Sequence, residues 1–471
     1  MFESELKYQE SRMASDEEFT QELDVYGLEE NDVFTHGGPV LFRNGPRIYV
    51  DSSDVHSLIL GDTGSMKTLR FVLPLIYTCA KAGESMVIVD PKGEIARKMT
   101  PHLEKKGYKN VVLNYRNPQR SPDMWNPMGQ IEEQYSLDKE GKQMATMQLN
   151  NLLNDIFFKR THVKDPYWNE SAGQWALGIS LLILALGEEL TIKNLLKWRY
   201  EKLSDGTLQK CFDSLAKESE IYQNLAGYME LTAENTKSCI RSTFDQLVRV
   251  FKSSPALTDM LSSTSFKMDE IGKEKTAVFL IVPDENTTFH FLVTLFIGQC
   301  YSSLLNLVED NEGILPVRVN FVLEEFCNLP TLEDLLPMIT AARSRNIRMH
   351  LVIQSYGQMV EKYGENTAKA VLDNCGNLIY LHSREIQFLK YISELAGHNE
   401  YGRPLVSISR LQRLRKNETL IFHDRCYPML AADIPLIFEY PITLGSSIPE
   451  KTFEQEEISL IDDEFDDEEW T

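Results

Sequence analysis

The sequence lacks the features of secreted, zinc-binding and membrane-spanning proteins. Its seven cysteines are scattered and form no C-x-x-C pair, which is typical of a reducing compartment and offers no zinc site. There is no H-E-x-x-H motif, no internal repeat and no signal peptide. The longest apolar run, residues 175–187, is shorter than the ~20 residues of a membrane span, so we expect a buried helix there. These absences predict a cytoplasmic protein.

The charge is concentrated at the two ends of the chain. Of the net −22, residues 1–33 carry 11 acidic and 2 basic residues, and residues 448–471 carry 11 acidic residues and one lysine. The region between them holds 48 acidic and 45 basic residues. The acidic balance therefore does not argue against a nucleic-acid partner. We expect an acidic, weakly ordered amino-terminal arm at 1–33 and an acidic tail at 448–471.

A phosphate-binding loop is predicted where a short apolar run at 57–60 meets a glycine-bearing turn. The predicted ATP-binding residues are Gly61, Asp62, Thr63, Gly64, Ser65, Met66, Lys67 and Thr68. Small residues let backbone N–H groups surround phosphate oxygens at the start of a helix. Lys67 would reach the β- and γ-phosphates, and the Thr68 hydroxyl would hold Mg²⁺. Met66 departs from the strict pattern, which has glycine before the lysine.

A pair of carboxylates follows a second apolar strand at 320–323. We expect Glu324 to order the Mg²⁺ shell and Glu325 to orient and polarise the attacking water. The usual pair is Asp-Glu. The additional methylene of Glu324 moves its carboxylate by ~1.5 Å, a shift that a water-mediated Mg²⁺ contact could absorb.

A third candidate element combines arginines with a glutamine at the tip of the next strand. Arg343 and Arg345 could act as fingers that reach a neighbouring subunit's γ-phosphate, and Gln354 could sense that phosphate. The alternative for the arginines is a solvated basic helix end that complements the helix dipole. For Arg348 we favour this alternative.

The order of the predicted elements indicates an α/β fold. Strands alternate with helices at 57–60, 86–89 and 111–115 and resume from 277 onward, which implies a parallel sheet covered on both faces. A hairpin with an Asn-Gly turn is predicted at 40–51. Residues 131–262 show only helical periodicity. We therefore predict a nucleotide-binding domain in two parts, 34–130 and 263–447, with an inserted all-α domain at 131–262.

Several motifs in this order resemble the coupling ATPases of conjugative type IV secretion, in the TraG-like branch. The motifs lie at 90–94, 166–168, 323–328, 342–354, 374–377, 383–385 and 403–405. The resemblance implies a RecA-like P-loop NTPase domain with an inserted all-α domain, a homo-hexameric ring, and ATP-driven transfer of relaxase-bound single-stranded DNA. The resemblance further implies that Lys67 and Thr68 bind phosphates and Mg²⁺. It implies that Glu324 supports the metal and that Glu325 activates water.

The resemblance also sets expectations about location and partners. Members of the family usually begin with transmembrane helices, so we expect a soluble or truncated relative that a membrane-bound secretion component recruits. DNA contacts are predicted at 193–200 and 410–416, with a solvated helix face as the alternative for each. The tail at 461–471 could recruit a relaxase or another relaxosome protein through Phe465 and Trp470, or be disordered.

Two further functions stay open from the sequence. The first is a hydrolysis-impaired nucleotide-binding adaptor that delivers DNA or protein cargo to a membrane partner, which Met66 and Glu324 keep in consideration. The second is a translocase of the chromosome-segregation type.

Overall fold

A nine-stranded sheet with helices on both faces forms the centre of the protein, as seen in a computed structural model that describes residues 11–157 and 166–451. The strands and their bounds are β1 Asp24–Gly27, β2 Val40–Asn44, β3 Arg47–Val50, β4 Ser57–Gly61, β5 Ser85–Asp90, β6 Lys109–Asn114, β7 Thr276–Ile281, β8 Val319–Leu323, β9 Ile347–Ile353, β10 Asn377–His382, β11 Glu418–His423 and β12 Met429–Ala432.

The helices fill the intervals between these strands. They are α1 Asp16–Thr20, α2 Leu73–Ala82, α3 Glu94–Lys105, α4 Gly129–Tyr135, α5 Lys139–Phe157, α6 Tyr167–Ala185, α7 Ile192–Lys197, α8 Thr207–Asp213, α9 Glu220–Met229, α10 Glu234–Leu247, α11 Arg249–Lys252, α12 Pro255–Met260, α13 Glu270–Lys273, α14 His290–Asp310, α15 Leu335–Ala342, α16 Tyr356–Tyr363, α17 Glu365–Asn374, α18 Ile386–Ala396 and α19 Ile408–Leu411.

The sheet has the order β12-β11-β10-β4-β9-β8-β5-β7-β6. The seven strands from β10 to β6 pair in parallel, and β11 and β12 add an antiparallel edge. Side chains alternate between the two faces, since Leu58 and Leu60 join one core and Ile59 joins the other. This two-faced burial explains why the central strands are continuous apolar runs, and it confirms the predicted α/β class.

Between β6 and β7 the described residues form helices and connecting loops, with no strand among them. Helices α4–α12 pack into one core with the face of the sheet that carries Leu58 and Leu60. Helix α6 is buried along most of its length. Trp175 stacks on Tyr228, with ring centroids 4.0 Å apart, and meets Phe244 edge-on. These aromatic contacts join helices α6, α9 and α10 within the core of the insertion.

The amino-terminal region is more ordered than the sequence predicts. Residues 11–33 include helix α1, which buries Phe19, and strand β1, which pairs with β3 beside the predicted hairpin. The prediction of a weakly ordered arm is therefore wrong for residues 11–33. It rested on the acidic composition, whereas buried apolar residues such as Phe19 hold this region against the rest of the protein. The hairpin of β2 and β3 is present, but its loop is Gly45-Pro46, with Gly45 at φ +59°, rather than Asn-Gly.

One long apolar helical segment was not predicted from the sequence. Among the described residues, Thr287–Asp310 alone is long and apolar enough to cross a membrane by length and composition, and half of its most apolar window is buried inside the protein. A core helix of a globular protein meets the same criterion, so the observation carries little weight for membrane insertion.

Arg348 occupies a buried position that contradicts the expected solvated helix end. It lies in β9 with 1% of its surface exposed, and its guanidinium donates to Glu84 Oε2 at 2.6 Å and to Asn320 Oδ1 at 2.8 Å. Burial would raise the pKa of Glu84, but Arg348 and Arg318 outweigh that effect and lower it. The ion pair ties β5, β8 and β9 together at the edge where parallel strands begin.

Candidate functional site

The predicted phosphate loop connects β4 to the π-helical turn that precedes α2. Gly64 sits at φ +81° with open space beyond its Cα, so the loop turns sharply there. The Ser65 hydroxyl is buried without a partner. Lys67 is 7% exposed, and its ammonium group donates to the carbonyl oxygens of Gly61 and Asp62, the latter at 3.2 Å. Burial lowers the pKa of Lys67, an effect that Glu325, Glu324 and Asp62 oppose.

Met66 adopts the conformation that glycine would adopt at this position. Its φ is +69°, in the left-handed region where a side chain costs about 1–2 kcal/mol. The strict motif has glycine at this position because glycine adopts a positive φ without steric strain. The Met66 side chain is half-buried. The chain therefore keeps the loop conformation and accepts the strain of a side chain there.

Thr68 and Glu324 come together from distant parts of the sequence. Thr68 opens a π-helical turn, Thr68–Val72, that leads into α2, and its hydroxyl donates to Glu324 Oε1. Glu324 follows β8 and is 9% exposed. Burial raises the pKa of Glu324 to about 7, and the Thr68 hydrogen bond opposes this shift. A hydroxyl and a carboxylate are oxygen ligands of the kind that Mg²⁺ prefers.

Gln354 joins the loop to the second carboxylate. Its amide nitrogen donates to both oxygens of Glu325 at 2.8 Å, and its amide oxygen accepts from Thr63 Oγ1 at 3.3 Å. The strand order explains this bridge, because β9 lies between β4 and β8. Glu325 has φ +52°, a left-handed conformation that turns the chain away from the strand end.

Arg343 and Arg345 lie far from this group within the same chain. They form a short 3-10 turn that precedes β9, whereas Gln354 follows it. The seven residues of β9 separate the two ends by roughly 23 Å at ~3.3 Å per residue. Arg343 is exposed, and Arg345 donates to the carbonyl oxygen of Ala341. Neither arginine reaches the phosphate loop of its own chain.

The two basic segments proposed for DNA contact have different surroundings. In the first, Trp198 is 1% exposed and Arg199 is 7% exposed, and Arg199 pairs with Asp245 at 2.8 Å. The predicted DNA contact is therefore wrong for these two residues, which belong to the core of the insertion. The second segment, 410–416, lies beside the phosphate loop: His382 contacts the Gln412 carbonyl at 3.2 Å and Asp62 Oδ2 at 2.8 Å.

Asp90 is a site residue for which no role was predicted from the sequence. It ends β5, and the pairing of Val89 with Leu323 places it beside Glu324 in the adjacent strand. One carboxylate oxygen accepts from the Ala96 N–H at 2.8 Å, and the other is buried without a partner. Burial raises the pKa of Asp90 to about 6. The Asp-Pro-Lys-Gly-Glu turn at 90–94 was the available signal for this position.

The arrangement fits a nucleotide with Mg²⁺. The loop offers an unpartnered Ser65 hydroxyl and a buried ammonium group, and Thr68 with Glu324 offers two oxygen ligands. Among the described residues, no group of three His, Cys, Asp or Glu side chains is placed to hold a metal by itself. Mg²⁺ is commonly held by one or two protein oxygens together with phosphate oxygens and water, so this set matches its requirements.

Comparison with known proteins identifies the family. The family model described as "Type IV secretory system Conjugative DNA transfer" matches residues 7–422 of the 471. The chain belongs to this family. Among curated members, it is 23% identical over 414 residues to the conjugal transfer protein TraG of Agrobacterium fabrum (strain C58 / ATCC 33970), covering 83% of this chain and 60% of that one. It is 22% identical over 371 residues to the type IV secretion system-coupling protein VirD4 of Bartonella henselae (strain ATCC 49882 / DSM 28221 / CCUG 30454 / Houston 1), covering 74% and 54%.

Solved structures of the plasmid coupling protein TrwB share the fold. The plasmid coupling protein TrwB in complex with the non-hydrolysable ATP analogue ADPNP matches with a TM-score of 0.61 at 15% identity, covering 90% of this chain and 94% of that one. TrwB in complex with ADP and Mg²⁺ also gives 0.61 at 15% identity, covering 85% and 89%. The expected RecA-like P-loop domain with an all-α domain is thereby confirmed. The chain spans about 60% or less of the length of the curated relatives.

The strain at Met66 is testable. Replacing Met66 with glycine should remove the left-handed penalty of about 1–2 kcal/mol, partly offset by the greater chain entropy of glycine, about 0.5–1 kcal/mol. Met66→Ala is the matched control, because it shortens the side chain and keeps the penalty. Urea denaturation should show Met66→Gly to be more stable than Met66→Ala by about 0.5–1 kcal/mol. A glycine variant less stable than the alanine variant would contradict the assigned backbone conformation.

Proposed function

We propose that this protein is an ATP-dependent coupling protein of conjugative type IV secretion. In this role it binds relaxase-carrying single-stranded DNA and drives its transfer by ATP hydrolysis in a hexameric ring. The observation that carries the proposal is the contact between Thr68 and Glu324, with Gln354 holding Glu325 beside the same loop. The names of the TraG and VirD4 relatives and the ligands in the TrwB structures support it.

Each site residue has a proposed task in hydrolysis. Bound Mg²⁺ supplies charge stabilisation at the β- and γ-phosphates. Lys67 would leave its loop carbonyls to contact those phosphates, and Thr68 with Glu324 would hold the metal. Glu325 accepts a proton from the attacking water while Gln354 fixes the orientation of its carboxylate. Gln354 also contacts Thr63, so the same amide can respond to a change in the loop.

The arginine fingers are proposed to act between subunits. Because Arg343 and Arg345 precede β9 while the phosphate loop lies at the opposite edge of the sheet, they cannot act within one chain. A contact between subunits in which this edge of one chain faces the loop of the next, as in a ring, would bring either arginine to a γ-phosphate. Assembly into a hexamer and action on single-stranded DNA are parts of the same proposal, as is recruitment from the cytoplasm by membrane-bound secretion components.

Hydrolysis is the first step to test. Purified protein should release phosphate from ATP with Mg²⁺, and single-stranded DNA should accelerate the release. Glu325→Gln should lower the rate by about 10²–10⁴-fold because it removes the general base, while leaving binding of a fluorescent ATP analogue in place. Glu309→Gln, an exposed change on α14, is the matched control and should leave the rate unchanged.

A wild-type rate no higher than that of Glu325→Gln would contradict the hydrolysis proposal. With nucleotide binding retained, that result would support the second candidate, an adaptor that binds nucleotide without turnover and delivers cargo to a membrane partner. The left-handed Met66 and the Glu324 in place of aspartate are the observations that favour this candidate.

Magnesium binding should depend on pH through Glu324. The raised pKa of about 7 means that this carboxyl carries a proton in mildly acidic solution, and Mg²⁺ must displace it. Apparent Mg²⁺ affinity, followed by Mg²⁺-dependent binding of a fluorescent ATP analogue, should therefore fall as pH decreases from about 8 to 6, by up to about tenfold per unit below the pKa. Glu324→Gln should retain only the slope of the nucleotide itself. Equal slopes in the two proteins would exclude this role of Glu324.

The acidic tail is proposed as a recruitment peptide for a relaxase or another relaxosome protein. Residues 452–471 lie outside the described part of the chain, and the proposal rests on their sequence, with Phe465 and Trp470 as anchors. Glu450 pairs with Arg120 at 3.1 Å, so the deletion should begin after Lys451. Removing 452–471 should abolish relaxase capture in a pull-down and leave ATPase activity unchanged. Capture by the truncated protein would refute the role of the tail.

A further inference from the structure

A small cavity lies at the end of the sheet where the parallel strands begin, opposite to the end that carries the phosphate loop. It has a volume of about 240 Å³ and opens between the carboxyl-terminal ends of α2 and α3 and the segment 441–443. Helix α2 runs away from the loop, and α3 ends just before β6 begins, so the cavity lies at the edge where β5 and β6 start. We call it the lysine pocket, after Lys81, Lys105 and Lys106 in its lining.

The lysine pocket holds more positive than negative charge. Glu30 is the one carboxylate among its lining residues, and it pairs with Lys105 at 2.9 Å. Lys81 donates to the main-chain carbonyl of Glu30 at 2.8 Å, which neutralises no charge. Within the described residues, the ammonium group of Lys106 has neither a hydrogen-bond nor an ion-pair partner. Burial and the charge of Lys106 lower the pKa of Lys81, against the opposing charges of Asp32 and Glu30.

The floor of the lysine pocket adds a buried group without a partner. His102 is 6% exposed, and its ring stacks on Tyr77 with centroids 5.4 Å apart. The Nε2 atom of His102 is buried and has no hydrogen-bond partner. Burial together with Lys106, Lys81 and Lys105 lowers the pKa of His102 to about 4. The ring is thus neutral at physiological pH, and the positive charge belongs to the lysines.

Complementing the helix dipoles does not account for the whole arrangement. Lysines in the last turns of α2 and α3 do stabilise those helices. That role requires no cavity, whereas here three lysines line one. Pro101, Pro441 and Ile442 supply an apolar wall beside the charges. A phosphate group with a short carbon portion would meet both kinds of surface.

We propose that the lysine pocket binds a phosphate-bearing anion, either the headgroup of an anionic phospholipid or a small phosphorylated metabolite. The ligand's phosphate contacts Lys81 and Lys106, and its carbon portion lies against Pro101 and Ile442. The volume suits a headgroup-sized ligand, since pockets for whole drug-sized molecules measure about 300–1,000 Å³. The proposal does not depend on nucleotide hydrolysis, because the pocket is separate from the phosphate loop.

The test uses the full chain with Lys67→Ala, which removes the competing phosphate site in the loop. Glycerol 3-phosphate is titrated by calorimetry, and flotation is measured with phosphatidylcholine vesicles with and without phosphatidylglycerol. Adding Lys81→Gln and Lys106→Gln should weaken anion binding by at least about tenfold, because two charged hydrogen bonds are lost. Lys210→Gln with Lys217→Gln, two exposed lysines of the insertion, removes the same charge and should leave binding unchanged.

The two arms distinguish the source of the ligand. Flotation only with phosphatidylglycerol vesicles assigns a lipid headgroup, and calorimetric binding without flotation assigns a free anion. A circular-dichroism spectrum and a cooperative thermal transition like those of its parent show that the Lys81→Gln/Lys106→Gln protein is folded. Binding of both probes by this protein equal to that of the control variant, or binding of neither probe by the parent, overturns the proposal.

Discussion

The site depends on a single constraint of topology, which is that β9 lies between β4 and β8. Parallel strands end at the same edge of a sheet, so this order brings the phosphate loop to Gln354 and the two carboxylates, although 256 residues separate Thr68 from Glu324. The contact of Thr68 with Glu324 and the bridge from Thr63 through Gln354 to Glu325 both follow from it. The buried Arg348–Glu84 pair, with Asn320, ties β5, β8 and β9 together at their other end.

The departures from the common motif are absorbed locally. Met66 takes a left-handed conformation that the loop requires, so the side chain changes the strain of the loop and not its path. Glu324 reaches Thr68 directly, which its longer side chain permits. Burial, together with the charges of Asp90 and Glu325, then raises the pKa of Glu324 to about 7. Residues that differ from the strict pattern therefore retain the arrangement of the site while altering its energetics.

The sequence predicted what depends on local pattern. Apolar runs marked the central strands, and the spacing of glycine, lysine and paired carboxylates marked the site, because backbone geometry dictates those residue types. Placement that depends on tertiary contacts was not predictable. Arg348 looked like a surface charge because its partner Glu84 lies 264 residues away, and Trp198 and Arg199 looked like a nucleic-acid surface because their packing partners come from other helices. The motif at 90–94 marked Asp90, but its place beside Glu324 depends on the pairing of β5 with β8, which the sequence does not show.

A double-mutant cycle on Thr68 and Glu324 tests the central claim most directly. Mg²⁺ affinity of the nucleotide-bound protein is measured for the wild type, Thr68→Ala, Glu324→Ala and the double variant. If both residues hold one ion, the double variant loses little more affinity than either single variant, and the coupling energy exceeds about 1 kcal/mol. Losses that add to within about 0.3–0.5 kcal/mol would show that the two residues act independently and would contradict a shared magnesium site.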